Sequence, residues 1–355
     1  MNYIPPKRSD GTYREFREKL PWPKDKPFRI LSLDGGGIRG LFGASYLAEI
    51  ERRYLNGASI GRYFDMVAGT STGGIIALGL ATGMSAAEVS KIYTERGEFI
   101  FPPPKRLTGW WRTLKSIRAP KHRSEDLKNE LLRVFGHKVL NDATCRVVVP
   151  CYEAEHGEPF IYKTPHHPVY KRDLHASIVD IALHTAAAPS YLAAVENHGY
   201  KMVDGGIWAN NPVMLAVADV LANYDIAADN IRILSIGTGD ETVKLAERHL
   251  TGGLFDWGFS LKAPLLFRMA ATAQSKNVIG QAGLIVGRPN LVRVDLGAKD
   301  KQIDLDDVRL AKAELPNAAA SHAEANGGSV REMFLWGEAD AFKNTFVSGS
   351  KEAAE

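Results

Sequence analysis

The chain reads as an α/β domain in three layers, α/β/α, with a mostly parallel central sheet. Three observations predict this class. Apolar runs of strand length alternate with segments of helical spacing from residue 28 to about residue 240, and such alternation builds parallel sheets. Several runs end in glycine-rich loops: Leu33 before Asp34-Gly35-Gly36-Gly37, Ala68 before Gly69-Thr70-Ser71-Thr72-Gly73, and Val203 before Asp204-Gly205-Gly206. Ligands of such sheets sit at the carboxyl ends of strands. Finally, no internal repeat, low-complexity block or clear linker divides the 355 residues, so one domain is the simplest reading. Its expected limits are an extended arm over 1–27, the domain over 28–345 and a disordered tail over 346–355.

The elements follow in order. Five prolines between Pro5 and Pro27 keep the arm from regular structure. Phe28–Leu33 is the first strand, and Leu41–Leu55 is a helix with Leu47, Ile50 and Tyr54 at helical spacing. Tyr63–Ala68 is a second buried strand, and Gly74–Leu80 a helix packed on the sheet. Ser85-Ala86-Ala87-Glu88 is a capping box opening a helix that stops at Gly97. Ser124 caps the next helix, with Glu125 and Asp126 in its first turn. Cys145–Val149 and Pro159–Tyr162 are strands, Leu174–Ala188 is a helix, and Lys201–Val203 is a short strand. Pro212 sits near the start of a helix to about Leu221, where its missing N–H does no harm. Ile231–Ile236 is a strand ending in Gly237-Thr238-Gly239. Leu254–Met269 is rich in large apolar groups, read as core, an acyl-chain wall or a membrane-facing patch. Helical patterns dominate from Asp304, with a break near Asn326-Gly327-Gly328.

Composition narrows the class. Apolar residues make up 45% and charged residues 24%, the balance of a chain that buries a real core. The net charge of +3 gives no argument for a nucleic-acid partner such as DNA. Cys145 and Cys151 flank a strand, and six extended residues separate them by about 20 Å, too far for an easy disulfide. No cysteine–histidine cluster or EF-hand spacing suggests a metal. The first 27 residues lack the apolar core of a signal peptide, and no run reaches the ~18 apolar residues that span a bilayer. A soluble cytoplasmic protein is expected.

Gly69-Thr70-Ser71-Thr72-Gly73 is a G-x-S-x-G turn between strand and helix, the pattern of a nucleophile elbow. Gly69 and Gly73 relieve crowding two residues either side of the serine. The helix N-terminus behind Ser71 favours developing negative charge. Gly35-x-Gly37-x-x-Gly40 also matches a dinucleotide fingerprint. That fingerprint needs an acid at the end of the next strand, where this chain has the serine turn. The better reading is an oxyanion hole, with Gly36 and Gly37 aiming bare N–H groups at a tetrahedral intermediate. Arg39 is either a surface cation or a fork for a substrate phosphate. Lys105–Arg123 carries seven basic residues and no acid, around Trp110 and Trp111. It is read as a solvated loop, or as a contact for anionic lipid or a phosphate-bearing ligand through Trp110, Trp111, Arg112, Lys115 and Arg118.

Together the three ordered glycine motifs, with Ala186-Ala187-Ala188-Pro189-Ser190-Tyr191 ahead of Asp204, resemble the patatin-like phospholipases from about residue 28 to residue 240. The resemblance implies a lipid acyl hydrolase of patatin-like fold. It implies a dyad of Ser71 as nucleophile and Asp204 as base, with Gly36 and Gly37 as oxyanion hole. Gly35, Arg39, Gly40, Gly205 and Gly206 complete its motifs. The opening Pro27–Asp34, the run Gly73–Leu80 and the length resemble more narrowly the bacterial antiphage effectors of CBASS type. These are patatin-type phospholipases switched on by a cyclic dinucleotide such as cyclic GMP-AMP, and they degrade the host's own membrane. The resemblance implies no required cofactor, a cyclic dinucleotide activator, a peripheral contact with phospholipid membranes at the inner surface, and a homo-oligomer as a further possibility. It assigns no nucleotide-binding residues.

Three alternatives stand beside this reading. A Ser-Asp-His triad needs a histidine after Asp204, which restricts it to His249 and His322. An unregulated acyl hydrolase would act without a nucleotide. A nucleotide-sensing binding module would carry a vestigial pocket.

Overall fold

The computed structural model describes residues 17–100, 124–189, 191–239, 265–297, 303–340, 342 and 344. The chain opens with β1 (Leu20–Pro21) and β2 (Phe28–Leu33). Every residue of β2 is buried, and alternate side chains feed two cores. Leu31 and Leu33 enter one, Phe28 and Ile30 the other, as a central strand covered on both faces requires. Next come α1 (Gly40–Tyr54), β3 (Met66–Gly69) and α2 (Thr72–Ala81). All ten residues of α2 are buried, which accounts for its being apolar all round.

The following helix, α3 (Ala86–Ile100), runs through Gly97, where the sequence predicts a stop. A β-carbon on Gly97 would lie 3.1 Å from Val308 Cγ1, so this glycine serves close helix packing rather than termination. α4 (Ser124–Phe135), β4 (Arg146–Glu153), β5 (Glu158–Lys163) and α5 (Ile178–Thr185) follow. α5 is shorter than the helix expected over Leu174–Ala188, because the Ser177 side chain caps it by accepting from the Asp180 N–H. The chain continues through β6 (Val195–Asn197), β7 (Tyr200–Asp204), α6 (Gly206–Ala209), α7 (Val213–Asn223), β8 (Tyr224–Asp225) and β9 (Ile231–Ile236). It closes with α8 (Leu265–Val286), β10 (Leu291–Val294) and α9 (Val308–Phe334). No break interrupts α9 at Asn326-Gly327-Gly328. Asn326 accepts a 2.6 Å hydrogen bond from the Tyr46 hydroxyl, and Gly327 lets Tyr54 come close. Both contacts hold the helix against α1.

The main sheet has the order β10-β9-β2-β3-β4-β7-β6. The five strands from β10 to β4 are parallel, whereas β7 and β6 run antiparallel to their neighbours. β5 pairs antiparallel with β4 over Val148–Glu153. β3 meets β4 at Arg146–Val148, and β7 meets it at Cys151–Glu153. Both overlap the stretch that β5 covers, so both lie along the opposite edge. β3 and β7 therefore share one edge of β4 end to end, with Val149 and Pro150 between them. α1, α2, α3, α4, α5 and α9 pack on one face of the sheet, α7 and α8 on the other. Cys145 and Cys151 are buried free thiols. Among the described residues no helix is long and apolar enough to cross a membrane.

The end of the N-terminal arm is tied to the domain through a short extended strand. β1 pairs in parallel with β8, and Trp22 packs on Phe28 and Tyr224 at ring-centroid distances of 4.6 and 5.5 Å. Beside it lies a buried polar cluster. Asp219 accepts from the Lys163 ammonium at 2.5 Å, the Tyr170 hydroxyl at 2.7 Å and His166 Nε2 at 2.6 Å. Arg17 of the arm donates to the same Tyr170 hydroxyl. Burial alone would raise the Asp219 pKa, but His166 and Lys163 outweigh it and hold the carboxyl well below the usual carboxylate range. Asp219→Ala strands the Lys163 charge inside the protein, and about 3–5 kcal/mol of stability should be lost. Urea unfolding at neutral pH measures this.

Candidate active site

Ser71 stands at the turn from β3 into α2 with φ 54° and ψ −122°, a left-handed conformation that costs a non-glycine residue of order 1–3 kcal/mol. Its neighbours leave room for nothing else. A β-carbon on Gly69 would lie 2.1 Å from the Gly73 carbonyl oxygen, and one on Gly73 would lie 2.3 Å from that of Leu33. The half-buried side chain is thus lifted off the sheet above the helix N-terminus. The Ser71 N–H is held by Thr185 Oγ1 at 2.9 Å, and the Ser71 carbonyl starts the helix by accepting from Ile75.

Asp204 ends β7, opposite Cys151 in the register. β7 is antiparallel to β4, so Asp204 does not close a parallel strand, as the sequence suggests. It reaches the same level of the sheet from the other direction. Extending the pairing of Ala68 with Val148 by three residues also brings Ser71 to the level of Cys151. The two side chains come together: the Ser71 hydroxyl lies near enough to the buried Asp204 carboxylate to pull its pKa down. The Gly206 N–H donates to Asp204 Oδ1 at 2.7 Å. Burial pushes the Asp204 pKa up to about 7, against the pull of the Gly206 amide and the Ser71 hydroxyl. A carboxylate so placed is a far better proton acceptor than one in water.

The glycine-rich loop closes the third side. Gly35 lies against Ser71: a β-carbon there would come within 3.3 Å of Ser71 Cβ and 2.6 Å of Asn210 Oδ1. The N–H of Gly35 donates to Asn210 O at 3.0 Å, and that of Ile38 to Leu305 O at 2.9 Å. Among the described residues no acceptor meets the N–H groups of Gly36 and Gly37. Gly37 has φ 57°, and a β-carbon on it would lie 2.5 Å from Leu305 O, so glycine is required there. Two bare amides in the loop whose Gly35 lies against Ser71 are of the kind that can hold an oxyanion formed on attack at a carbonyl.

Other motif residues serve the frame. Gly40 gives way to Thr72, and Gly205 to the Pro150 carbonyl. Arg39 turns back on its own loop: Nε donates to Gly36 O at 3.4 Å and Nη1 to Gly239 O at 3.3 Å. Asp34, beneath the loop, accepts from Arg293 Nη2 at 2.8 Å and from the Ser275 hydroxyl at 3.1 Å. Burial raises its pKa to about 6, although Arg293 pulls the other way. Trp110, Trp111, Arg112, Lys115 and Arg118 lie outside the described residues, as do His249 and most of Leu254–Met269.

Several members of the site were missed in the sequence. Thr238 Oγ1 donates to Gly35 O at 2.7 Å and clamps the glycine loop. Its place after β9, in Gly237-Thr238-Gly239, is a strand-end signal that could have found it. Asn210 and Thr185 carry no such signal, because they approach from helix ends. His322 packs edge-to-face on Phe42, 5.3 Å between centroids, in the helical layer. Among the described residues no histidine contributes to Asp204's hydrogen bonds. Nor is any group of three or more His, Cys, Asp or Glu side chains there placed to hold a metal ion.

Comparison with known proteins agrees with this frame. Residues 31–217 match the profile of the family described as patatin-like phospholipase. A "cGAMP-activated phospholipase" of Vibrio cholerae is 38% identical over 270 residues, 69% of this chain and 74% of that protein. Proteins of the same description from Escherichia coli and Pseudomonas aeruginosa are 34% and 33% identical. Their alignments cover 92% and 88% of this chain, and 95% and 93% of the relatives. A protein with this fold, this serine turn and these relatives belongs to the patatin-like phospholipase family and is a lipid acyl hydrolase.

Proposed function

We propose that the protein hydrolyses acyl esters of membrane phospholipids through a Ser71–Asp204 dyad, and that a cyclic dinucleotide of the cGAMP type switches it on. The observation that carries the chemistry is the Ser71 side chain beside a buried carboxylate whose pKa is pushed up to about 7. Asp204 takes the hydroxyl proton as Ser71 attacks the ester carbonyl. The oxyanion falls to the Gly36 and Gly37 amides. Collapse returns the proton to the leaving alkoxide and expels lysolipid, leaving an acyl-enzyme. Water, deprotonated by Asp204, then releases the fatty acid. Protein groups alone carry these steps.

The activator is supported by three relatives of the same description at 33–38% identity, two of them matched nearly end to end. Degradation of the cell's own membrane on such a signal fits antiphage defence, with the enzyme acting from the cytoplasm at the inner membrane surface. A homo-oligomer is a further possibility under this reading. The domain is proposed to span 28–345, with the arm before it and a tail after it.

Fatty-acid release from phospholipid vesicles, with and without cGAMP, is the deciding measurement. Release that rises with cGAMP is expected. Equal release without it returns the enzyme to unregulated lipid metabolism, and binding without release under any lipid favours a sensor. Ser71→Ala and Asp204→Ala should each lower release by roughly 10³-fold or more, whereas His249→Ala and His322→Ala leave it intact. Loss in a folded histidine variant would restore the triad.

The pH profile offers a separate check. Asp204 must be ionised to accept the proton, so kcat/KM should rise with pH through an apparent pKa of about 7. Stability runs the other way. Above the ordinary carboxylate range and below about 7 the folded state binds the proton that the unfolded state releases, so this contribution is lost as pH climbs through the window. Asp204→Asn removes the buried charge. It should abolish turnover and raise the Tm at pH 8 more than at pH 5, as read by differential scanning calorimetry.

A further inference from the structure

β4 changes neighbours along one edge. β3 pairs as far as Val148 and β7 begins at Cys151, so among the described residues no strand on that edge faces Val149 and Pro150. The two halves of the dyad hang from the two strands either side of this gap. One fully buried side chain reaches into it. Thr185, the last residue of α5, donates from Oγ1 to Pro150 O at 2.7 Å and accepts from the Ser71 N–H at 2.9 Å. Pro150 O in turn lies against Gly205, where a β-carbon would approach to 2.3 Å. The path from Ser71 through Thr185 and Pro150 to Gly205 thus joins the serine turn to the residue after Asp204. Gly74 makes room for the threonine: a β-carbon there would lie 2.8 Å from Thr185 Cγ2.

We propose that Thr185 is a positioning residue, whose hydroxyl fixes the Ser71 backbone against β4 so that the serine oxygen and the Asp204 carboxylate stay in register. The inference rests on the dyad reading above. A hydroxyl has one proton and two acceptor sites, so a single atom can serve both loops at once. Ser71 is held in a left-handed conformation, and its N–H is one of those a helix start leaves without a partner. Without the Thr185 hydroxyl, that N–H and the buried Pro150 carbonyl would both lose this partner. The serine turn would then relax by a fraction of an ångström, a distance that matters for proton transfer.

Two variants separate positioning from packing. Thr185→Val keeps the shape and removes both bonds, whereas Thr185→Ser keeps the hydroxyl and removes a methyl. The full chain with cGAMP is used throughout. The readouts are kcat and KM on a dispersed phospholipid, the rate of Ser71 labelling by a fluorophosphonate, and Tm. Thr185→Val should lower kcat and the labelling rate by about 30-fold or more with KM within about twofold, and Thr185→Ser should recover both to within about threefold. A folded Thr185→Val with both rates unchanged overturns the proposal. So does a Thr185→Ser that falls as far as Thr185→Val. If Thr185→Val does not fold, the same rates on Thr185→Ala decide, with the same expectation. Ser71→Ala keeps the two failures apart. An active Ser71→Ala sinks the dyad, and an inactive one beside an unimpaired Thr185→Val sinks only the role of Thr185.

Discussion

The approach of Ser71 to the buried Asp204 carboxylate joins groups that come from strands of opposite direction on one edge of β4. A parallel sheet alone would carry the serine turn but would send a neighbouring strand's end past it. Reversing β7 brings its last residue back to the level of the turn. The glycine loop after β2 then needs only the adjacent strand position to lie beside both. Much of the rest of the fold can be read as support for that meeting. α2 fills the space behind Ser71, Asn210 and Thr238 hold the glycine loop, and Gln274 and Ser275 of α8 bind Asn211 from the other face.

Electrostatics separates the proposed base from the structural carboxylates. Asp204, Asp34 and Asp219 are all buried, yet their partners differ. Among the described residues Asp204 meets an amide and a hydroxyl but no cation, so desolvation wins and its pKa rises. Asp219 meets an ammonium and an imidazole, so pairing wins and its pKa falls. Asp34 stands between them, with one guanidinium shared with Asp295. A buried acid without a cation is an unfavourable way to build a core, and a useful way to make a base that works near neutral pH. The Thr164–His166–Asp219 chain shows why geometry must precede pattern. It has a hydroxyl, an imidazole and a carboxylate in line, but Thr164 and His166 are sealed in the interior, where no substrate arrives.

Two readings open in the sequence are narrowed by the frame. The glycine fingerprint Gly35-x-Gly37-x-x-Gly40 does lie between a strand and a helix, but the next strand delivers Ser71 where a dinucleotide site needs an acid. Arg39 has its guanidinium on the carbonyls of Gly36 and Gly239, so it braces the loop that carries the bare amides. The basic stretch around Trp110 lies outside the described residues, and its three readings stand as the sequence left them.

Local chemistry determined what could be read from the chain: which runs are strands, where the turns must be glycine, and which serine and aspartate end them. Those signals arise within a few residues, from sterics and side-chain period, and they carried the α/β class and the dyad candidates. What they could not reach was set by contacts distant in sequence. Gly97 and Gly327 look like helix ends, yet each lies inside a helix because a second helix presses on it. The prolines mark the arm as an extended segment, and β8 gives its end a strand edge to pair with. The direction of β7 and the place of Thr185 beneath Ser71 depend on how β4 divides one edge between two partners. That division is decided only when the whole sheet assembles, since no local pattern distinguishes a strand that pairs parallel from one that returns.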